Sequence, residues 1–104
     1  MTLGLIGGVE RNENAYVEAA RAAGHTLHFH SGHLNGRGSD TLAGIIRSSD
    51  LVVVVTDVNS HGAVQLARRL ARKEGKSLVL QRRISPSRFA ALVADLDAAR
   101  AANA

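Results

Sequence analysis

The feature that most constrains the fold is a run of five consecutive aliphatic residues, Leu51 to Val55, near the middle of the chain. A continuous apolar run of this length, bounded by polar residues, is typical of a strand that is buried on both faces. Such a strand belongs in a parallel sheet with helices on both sides. The run ends at Thr56 and Asp57, with Ser60 and His61 close behind. Because ligands of open α/β sheets bind beyond the carboxyl ends of the strands, these side chains mark a candidate site.

Shorter apolar runs alternate with helical periodicities along the rest of the 104 residues. We expect three further strands, at Leu3 to Ile6, His25 to His30 and Ser77 to Leu80. A helix should follow each strand: the first spans Asn12 to Ala23, and the others begin at the cap residues Ser39 or Asp40, Ser60 and Ser85. Right-handed crossovers then make the sheet parallel, and 2-1-3-4 is the most economical strand order. We therefore predict a single α/β domain over residues 1–104, flavodoxin-like or Rossmann-like, with helices on both faces of a four-stranded sheet.

Composition narrows the class of protein further. The chain is 45% hydrophobic and 21% charged and has no cysteine, which excludes disulfides and thiolate zinc sites. No apolar stretch approaches the length of a membrane span, so we expect a cytoplasmic protein without a membrane partner. Thirteen Lys and Arg against nine Asp and Glu give a net charge of +4, which fits an anionic partner. One Tyr, two Phe and no Trp argue against nucleic-acid binding by stacking.

Residues suited to ligand chemistry occur at all four predicted strand ends. Because these ends meet along one edge of a parallel sheet, we expect the side chains to converge on one small-molecule site. The candidate residues, in chain order, are Gly8, Arg11, His28, His30, His33, Ser60, His61, Arg82 and Arg83.

The histidines favour a metal-centred ligand, since neutral imidazoles suit iron, including haem iron, and other transition metals. We interpret His28 as an exposed residue of an edge strand, whereas His30 and His61 follow the carboxyl ends of strands and are the candidate metal ligands. The arginines would pair with the haem propionates. The leading hypothesis is a non-catalytic haem-binding or sensor domain that forms a homodimer, because so small a sheet exposes much surface.

Two other functions stay open. A phosphate or nucleotide-type anion could bind the same edge through Gly8, Arg11, Ser60 and Arg82. Alternatively, the cationic helix face formed by Arg68, Arg69, Arg72 and Lys73 could contact a nucleic acid or another protein, although a solvated face is the more ordinary interpretation.

A Ser-His-Asp hydrolase is disfavoured. Asp57, Ser60 and His61 are adjacent in sequence, whereas a triad needs the histidine between the other two in space. A serine at a helix N-cap is occupied with backbone amides, and the chain has no Gly-x-Ser-x-Gly elbow.

Several short motifs resemble the bacterial family catalogued as domain of unknown function 2325. They are Gly7-Gly8 after the first strand, His30-Ser31-Gly32 after the second, Asp57 with Ser60-His61 after the third, and an arginine after the fourth. The segment from Ser49 to Asp57 carries the resemblance most clearly, and the likeness extends from Leu3 to Val93.

Members of that family often read His-His-Asp-Gly-Gly where this chain has Phe29-His30-Ser31-Gly32-His33. The resemblance implies that His30, Gly32, Ser60, His61 and an arginine at 82 or 83 carry over, while Phe29 and Ser31 replace a His and an Asp. It implies the fold and a bacterial origin, and it assigns no activity.

Overall fold

Strands and helices alternate four times along the chain, as the sequence predicts. The computed structural model describes residues 1–57 and 59–103; Val58 and Ala104 lie outside the described residues. The elements are β1 (Thr2–Ile6), α1 (Glu13–Ala22), β2 (Thr26–His30), α2 (Gly38–Ser48), β3 (Leu51–Val55), α3 (His61–Lys73), β4 (Ser77–Gln81) and α4 (Pro86–Ala102), with a 3-10 turn (Glu10–Asn12) before α1.

The four strands form one parallel sheet with the order β2-β1-β3-β4, which confirms the predicted α/β fold and strand order. All five residues of β3 are buried, as expected for a strand that pairs on both edges and is covered on both faces. Alternate side chains of β3 point to opposite faces of the sheet. Val53 and Val55 therefore face one layer of helices, and Val52 and Val54 face the other.

Each face of the sheet carries its own core. Helices α1 and α4 pack together on one face, which we call the α1/α4 layer, and α2 and α3 form the α2/α3 layer on the other. Large side chains fill the first core, whereas α3 meets the sheet through three alanines and so packs close to it. The buried residues are Leu3, Leu5, Tyr16, Ala20, Leu27, Leu51, Val53, Val55, Phe89 and Val93 under the α1/α4 layer, and Ile6, Leu42, Ile46, Val52, Val54, Ala63, Ala67 and Ala71 under the α2/α3 layer.

Two of the predicted helix caps are confirmed. Ser60 Oγ accepts the N–H of Ala63 at the start of α3, and Ser85 Oγ accepts the N–H of Arg88 at the start of α4. Each bond satisfies one of the backbone donors that a helix start leaves free. In the described part of the chain, no helix combines the length and apolar character that crossing a membrane requires.

The other two predicted helix starts need correction. Helix α2 begins at Gly38, before Ser39 and Asp40, and no side chain caps it. A backbone turn leads into this helix instead: the N–H of Gly38 donates to the carbonyl of Asn35. Asn12 does occupy the N-cap position of α1, but its side chain makes no capping bond: its backbone has φ −94° and ψ 1°, the end of a 3-10 turn, whereas a capping residue is typically extended.

Candidate functional site

His30 is a buried structural residue at the carboxyl end of β2, only 7% exposed. Its Nδ1 accepts the backbone N–H of Gly32 at 2.9 Å, and its Nε2 lies 2.8 Å from the carbonyl oxygen of Gly38. Because a carbonyl oxygen only accepts, Nε2 carries the ring proton. Both ring nitrogens are thus engaged within the protein, and binding a metal through His30 would require breaking one of these bonds.

Asn59 joins the ends of β1 and β3. Its Nδ2 donates to the carbonyl oxygens of Ile6 at 3.2 Å and Val55 at 2.8 Å, and its Oδ1 accepts the N–H of Ser60 at 2.9 Å. Asn59 is not among the candidate residues predicted from the sequence. An amide side chain between the central strand and the following helix has both the donors and the acceptor that such a junction needs, and that chemistry is the available signal.

Ser60 connects the β2–α2 loop to α3. Its Oγ donates to the carbonyl of Gly32 at 2.7 Å and accepts the N–H of Ala63 at 3.1 Å. Gly32 has φ +96°, and a Cβ on it would lie 2.1 Å from Asn59 Oδ1. We call the hydrogen-bonded group of His30, Gly32, Asn59 and Ser60 the loop junction. It holds the end of β1 and the loops after β2 and β3 together.

A small crevice of about 470 Å³ lies beside the loop junction. His33 lines it with its side chain 73% exposed, and the closest carboxylate oxygen, Oε1 of Glu10, is 4.0 Å from His33 Nε2. At that distance between exposed groups, the charge interaction is weak. The lining residues are Gly8, Val9, Glu10, Ser31, Gly32, His33, Asn59 and Ser60.

A larger cavity of about 790 Å³ lies between α1 and α4, beyond the carboxyl ends of β1, β3 and β4. This is the edge at which the sequence predicts a site, and the volume is in the range of small-molecule sites. The described lining residues are Gly8, Val9, Asn12, Tyr16, Val55, Asp57, Gln81, Arg83, Ile84, Ser85, Arg88, Ala91, Leu92 and Asp95. None of these described residues is a histidine.

Two arginines, Arg83 and Arg88, line this cavity and supply its positive charge. Arg83 Nε donates to Asp57 Oδ2 at 3.1 Å, and Arg82 Nε lies 3.8 Å from Asp57 Oδ1. The Asp57 side chain is 26% exposed, whereas the side chains of Arg82 and Arg83 are 89% and 82% exposed. Asp57 therefore orients Arg83 while leaving it open to solvent. The second arginine, Arg88, is an exposed residue in the first turn of α4.

Tyr16 is the aromatic residue in the described lining of this cavity, and it packs against two phenylalanines. The buried Tyr16 stacks on Phe29 with ring centroids 6.2 Å apart and meets Phe89 edge-on at 5.7 Å. Its hydroxyl donates to the carbonyl of Ile84, which ties α1 to the loop after β4. Tyr16 thus contributes shape to the cavity, while its hydrogen-bonding capacity is largely used within the protein.

The remaining candidate residues lie in different parts of the fold. Gly8 lines both cavities, whereas Arg11 is exposed in the 3-10 turn and Arg82 lies outside the described linings. His28 is exposed on edge strand β2, as expected. His61 is exposed at the start of α3, where the amide of Gln65 donates to its Nε2 at 2.9 Å. Across residues 1–57 and 59–103, no group of three or more His, Cys, Asp or Glu side chains could hold a metal ion.

Arg88 is the second functional candidate that the sequence analysis missed. The Ser85-Pro86 pair correctly located the start of α4, and a first-turn residue of a helix that follows a strand lies at the carboxyl edge of the sheet. The position of Arg88, three residues after a confirmed cap, was therefore a usable signal.

Comparison with known proteins gives one family match. A family described as uncharacterised proteins conserved in bacteria, DUF2325, matches residues 2–96. No curated protein and no solved structure matches the chain. The match spans all four strands and most of α4, and it agrees with the resemblance carried by the strand-end motifs. The chain belongs to the DUF2325 family of bacterial proteins.

Proposed function

We propose that the protein is a ligand-binding domain whose ligand carries a phosphate or carboxylate group and occupies the larger cavity. The observation that carries this proposal is that two exposed arginines, Arg83 and Arg88, line one cavity at the carboxyl edge of the sheet. The planar guanidinium fork binds phosphate and carboxylate oxygens in pairs. This is the anion-binding function that the sequence left open, with Arg83 and Arg88 in place of Arg11 and Arg82.

The rest of the cavity favours a nucleotide-type ligand over a bare anion. Val9, Ile84 and Leu92 provide an apolar wall against which a flat ring can lie. Asp57 and Asp95 add carboxylates that accept hydrogen bonds from hydroxyl groups such as those of a ribose. A cavity with both signs of charge and an apolar wall suits a compound that is anionic at one end only.

The test is the thermal unfolding midpoint of the protein in a panel of inorganic phosphate, nucleoside monophosphates and nucleoside triphosphates. A ligand at 100 times its Kd stabilises the fold by about 2.7 kcal/mol. With about 4–8 °C per kcal/mol for a domain of this size, the midpoint should rise by roughly 10 °C or more. An unchanged midpoint across the whole panel would refute the proposal.

A matched pair of variants on α4 places the ligand. Arg88→Gln should reduce the ligand-induced shift by at least half, because it removes one of the two positive charges that line the cavity. Arg100→Gln removes the same charge from the other end of α4, away from this cavity, and should leave the shift unchanged. Equal losses in the two variants would mean that only net charge matters.

Haem binding, the leading hypothesis from the sequence, is the second proposal. The observation in its favour is His33, an exposed imidazole at the small crevice, while His30 has both ring nitrogens engaged. The test is an absorption titration with haem, in which His33→Ala should abolish a saturable Soret band and His28→Ala should preserve it. Featureless spectra, or a band that survives in both variants, would exclude His33 as the ligand.

The homodimer expected from the sequence is a proposal that rests on edge strand β4. Leu80 on this strand is 44% exposed and is a large apolar side chain beside free backbone groups. An edge of this kind is a template for pairing with another chain. Light scattering should give a dimer mass for the wild type and a monomer mass for Leu80→Lys. A monomeric wild type would refute the proposal.

The cytoplasmic location stays a prediction.

A further inference from the structure

The ionisable side chains are divided unequally between the two helical layers. Helices α1 and α4 carry three cations and four acids. Helices α2 and α3 carry five cations and one acid, so this layer alone has a net charge of +4, as large as that of the whole chain. The cations of the α2/α3 layer are Arg47, Arg68, Arg69, Arg72 and Lys73, and its acid is Asp40. The fold therefore concentrates the excess positive charge on the face opposite the larger cavity.

Four of these cations form a continuous surface on α3. Arg68 and Arg72 are four residues apart, as are Arg69 and Lys73, so the side chains form two adjacent rows along the helix. Each row has a rise of about 6 Å along the helix axis. All four side chains are exposed. We call this surface the α3 cationic face.

In the described part of the chain, the cations of the α3 cationic face have no acidic partner, unlike Arg21, Arg82 and Arg83. Arg21 pairs with Glu18, and Arg82 and Arg83 pair with Asp57. Within the described residues, no carboxylate lies within 4.0 Å of any basic group on the α3 cationic face. Like charges four residues apart on a helix destabilise it by a few tenths of a kcal/mol. A polyanion on this face would remove that repulsion.

We propose that the α3 cationic face docks on the phosphate backbone of double-helical DNA. Arginines and lysines that neutralise phosphates release condensed counterions, which drives binding without base recognition. The exposed face of a helix also fits the dimensions of the major groove.

Two observations favour duplex DNA over a single-stranded nucleic acid and over an anionic membrane. Single strands are gripped by stacking on aromatic side chains, but Tyr16 and Phe89 are buried and Phe29 is half-buried under the opposite layer. A helix that binds an anionic membrane inserts apolar side chains, but Leu66 and Leu70 of α3 are half-buried against the core. The α3 cationic face thus offers charge alone, which is what the backbone of duplex DNA requires.

The test is fluorescence anisotropy of a labelled DNA duplex of random sequence, titrated with protein at several salt concentrations. Four phosphate contacts predict that log K falls with log salt with a slope of about −3.6. The double variant Arg68→Gln/Arg72→Gln should halve that slope and weaken binding roughly 100-fold at about 50 mM salt. Glutamine has nearly the helix propensity of arginine, so α3 should persist, which circular dichroism checks.

The control is Arg21→Gln/Arg100→Gln, which removes the same two charges from the α1/α4 layer. It should leave the salt slope unchanged and alter affinity by less than threefold. A flat salt dependence in the wild type would overturn the proposal, and so would equal losses in the two double variants. Tighter binding to vesicles containing phosphatidylserine than to the duplex would overturn it in favour of a membrane surface.

Discussion

His30 offers the sharpest test of the loop junction, because the sequence analysis placed it in the ligand site and the structure gives it internal partners. In His30→Ala, the buried N–H of Gly32 and the carbonyl of Gly38 both lose the imidazole. If the ring is a structural link, the ligand-free protein should be destabilised. A residue that serves only a ligand would leave the ligand-free protein unaffected.

The magnitude follows from the burial of the two partners. A buried donor left without an acceptor costs about 1–3 kcal/mol, which applies to Gly32 in full. Gly38 is half-exposed, so water can replace the ring there and the loss should be nearer the net value of about 1 kcal/mol. The expected destabilisation is about 2–4 kcal/mol, or a fall of roughly 10–25 °C in the unfolding midpoint.

The assay is chemical and thermal unfolding of the ligand-free protein, followed by circular dichroism. His28→Ala is the matched control, since His28 is an exposed residue of the same strand and its loss should stay within about 0.5 kcal/mol. His30→Asn should recover part of the stability, because an amide oxygen can accept the N–H of Gly32 from nearly the position of Nδ1. A His30→Ala midpoint within a few degrees of the wild type would refute the structural role.

Three further substitutions test the same region by the same unfolding assay. Ser60→Ala should cost about 1–2 kcal/mol, since it removes the cap of α3 together with the bond to the β2–α2 loop; a loss under 0.3 kcal/mol would contradict the junction. Gly32→Ala should destabilise the fold by more than Gly36→Ala, because both glycines have positive φ but only the first would clash, with Asn59. Equal effects would argue against this contact. Tyr16→Phe should cost about 1 kcal/mol through loss of its hydroxyl bond, and an unchanged midpoint would mean that this bond contributes nothing.

The fold was predictable because its signals are local and consistent with one another. The apolar run from Leu51 to Val55 required a central strand, and the cap residues Ser60 and Ser85 placed the starts of α3 and α4. Helix α2 was less predictable, since a backbone turn and no side chain starts it at Gly38. A capping pattern in the sequence cannot reveal a helix start that uses only main-chain atoms.

The sequence predicts a candidate site at the carboxyl edge, where the structure has two cavities, but it does not predict the contacts of the individual residues. The topology brings the four strand ends to one edge, so the position of both cavities followed from the sequence. The partners of His30 did not, because a histidine at a strand end looks the same whether it faces a ligand or a neighbouring loop. Its environment depends on how the chain from Ser31 to Arg37 returns to α2, and that path contains no periodic pattern.

The most direct test of the proposed ligand site is an amide NMR titration of the protein with adenosine monophosphate. If the ligand occupies the larger cavity, saturable shifts should centre on Gly8, Arg83 and Arg88, with little change at the amino edge of the sheet. Shifts confined to the small crevice around His33, or no saturable shift at all, would contradict it.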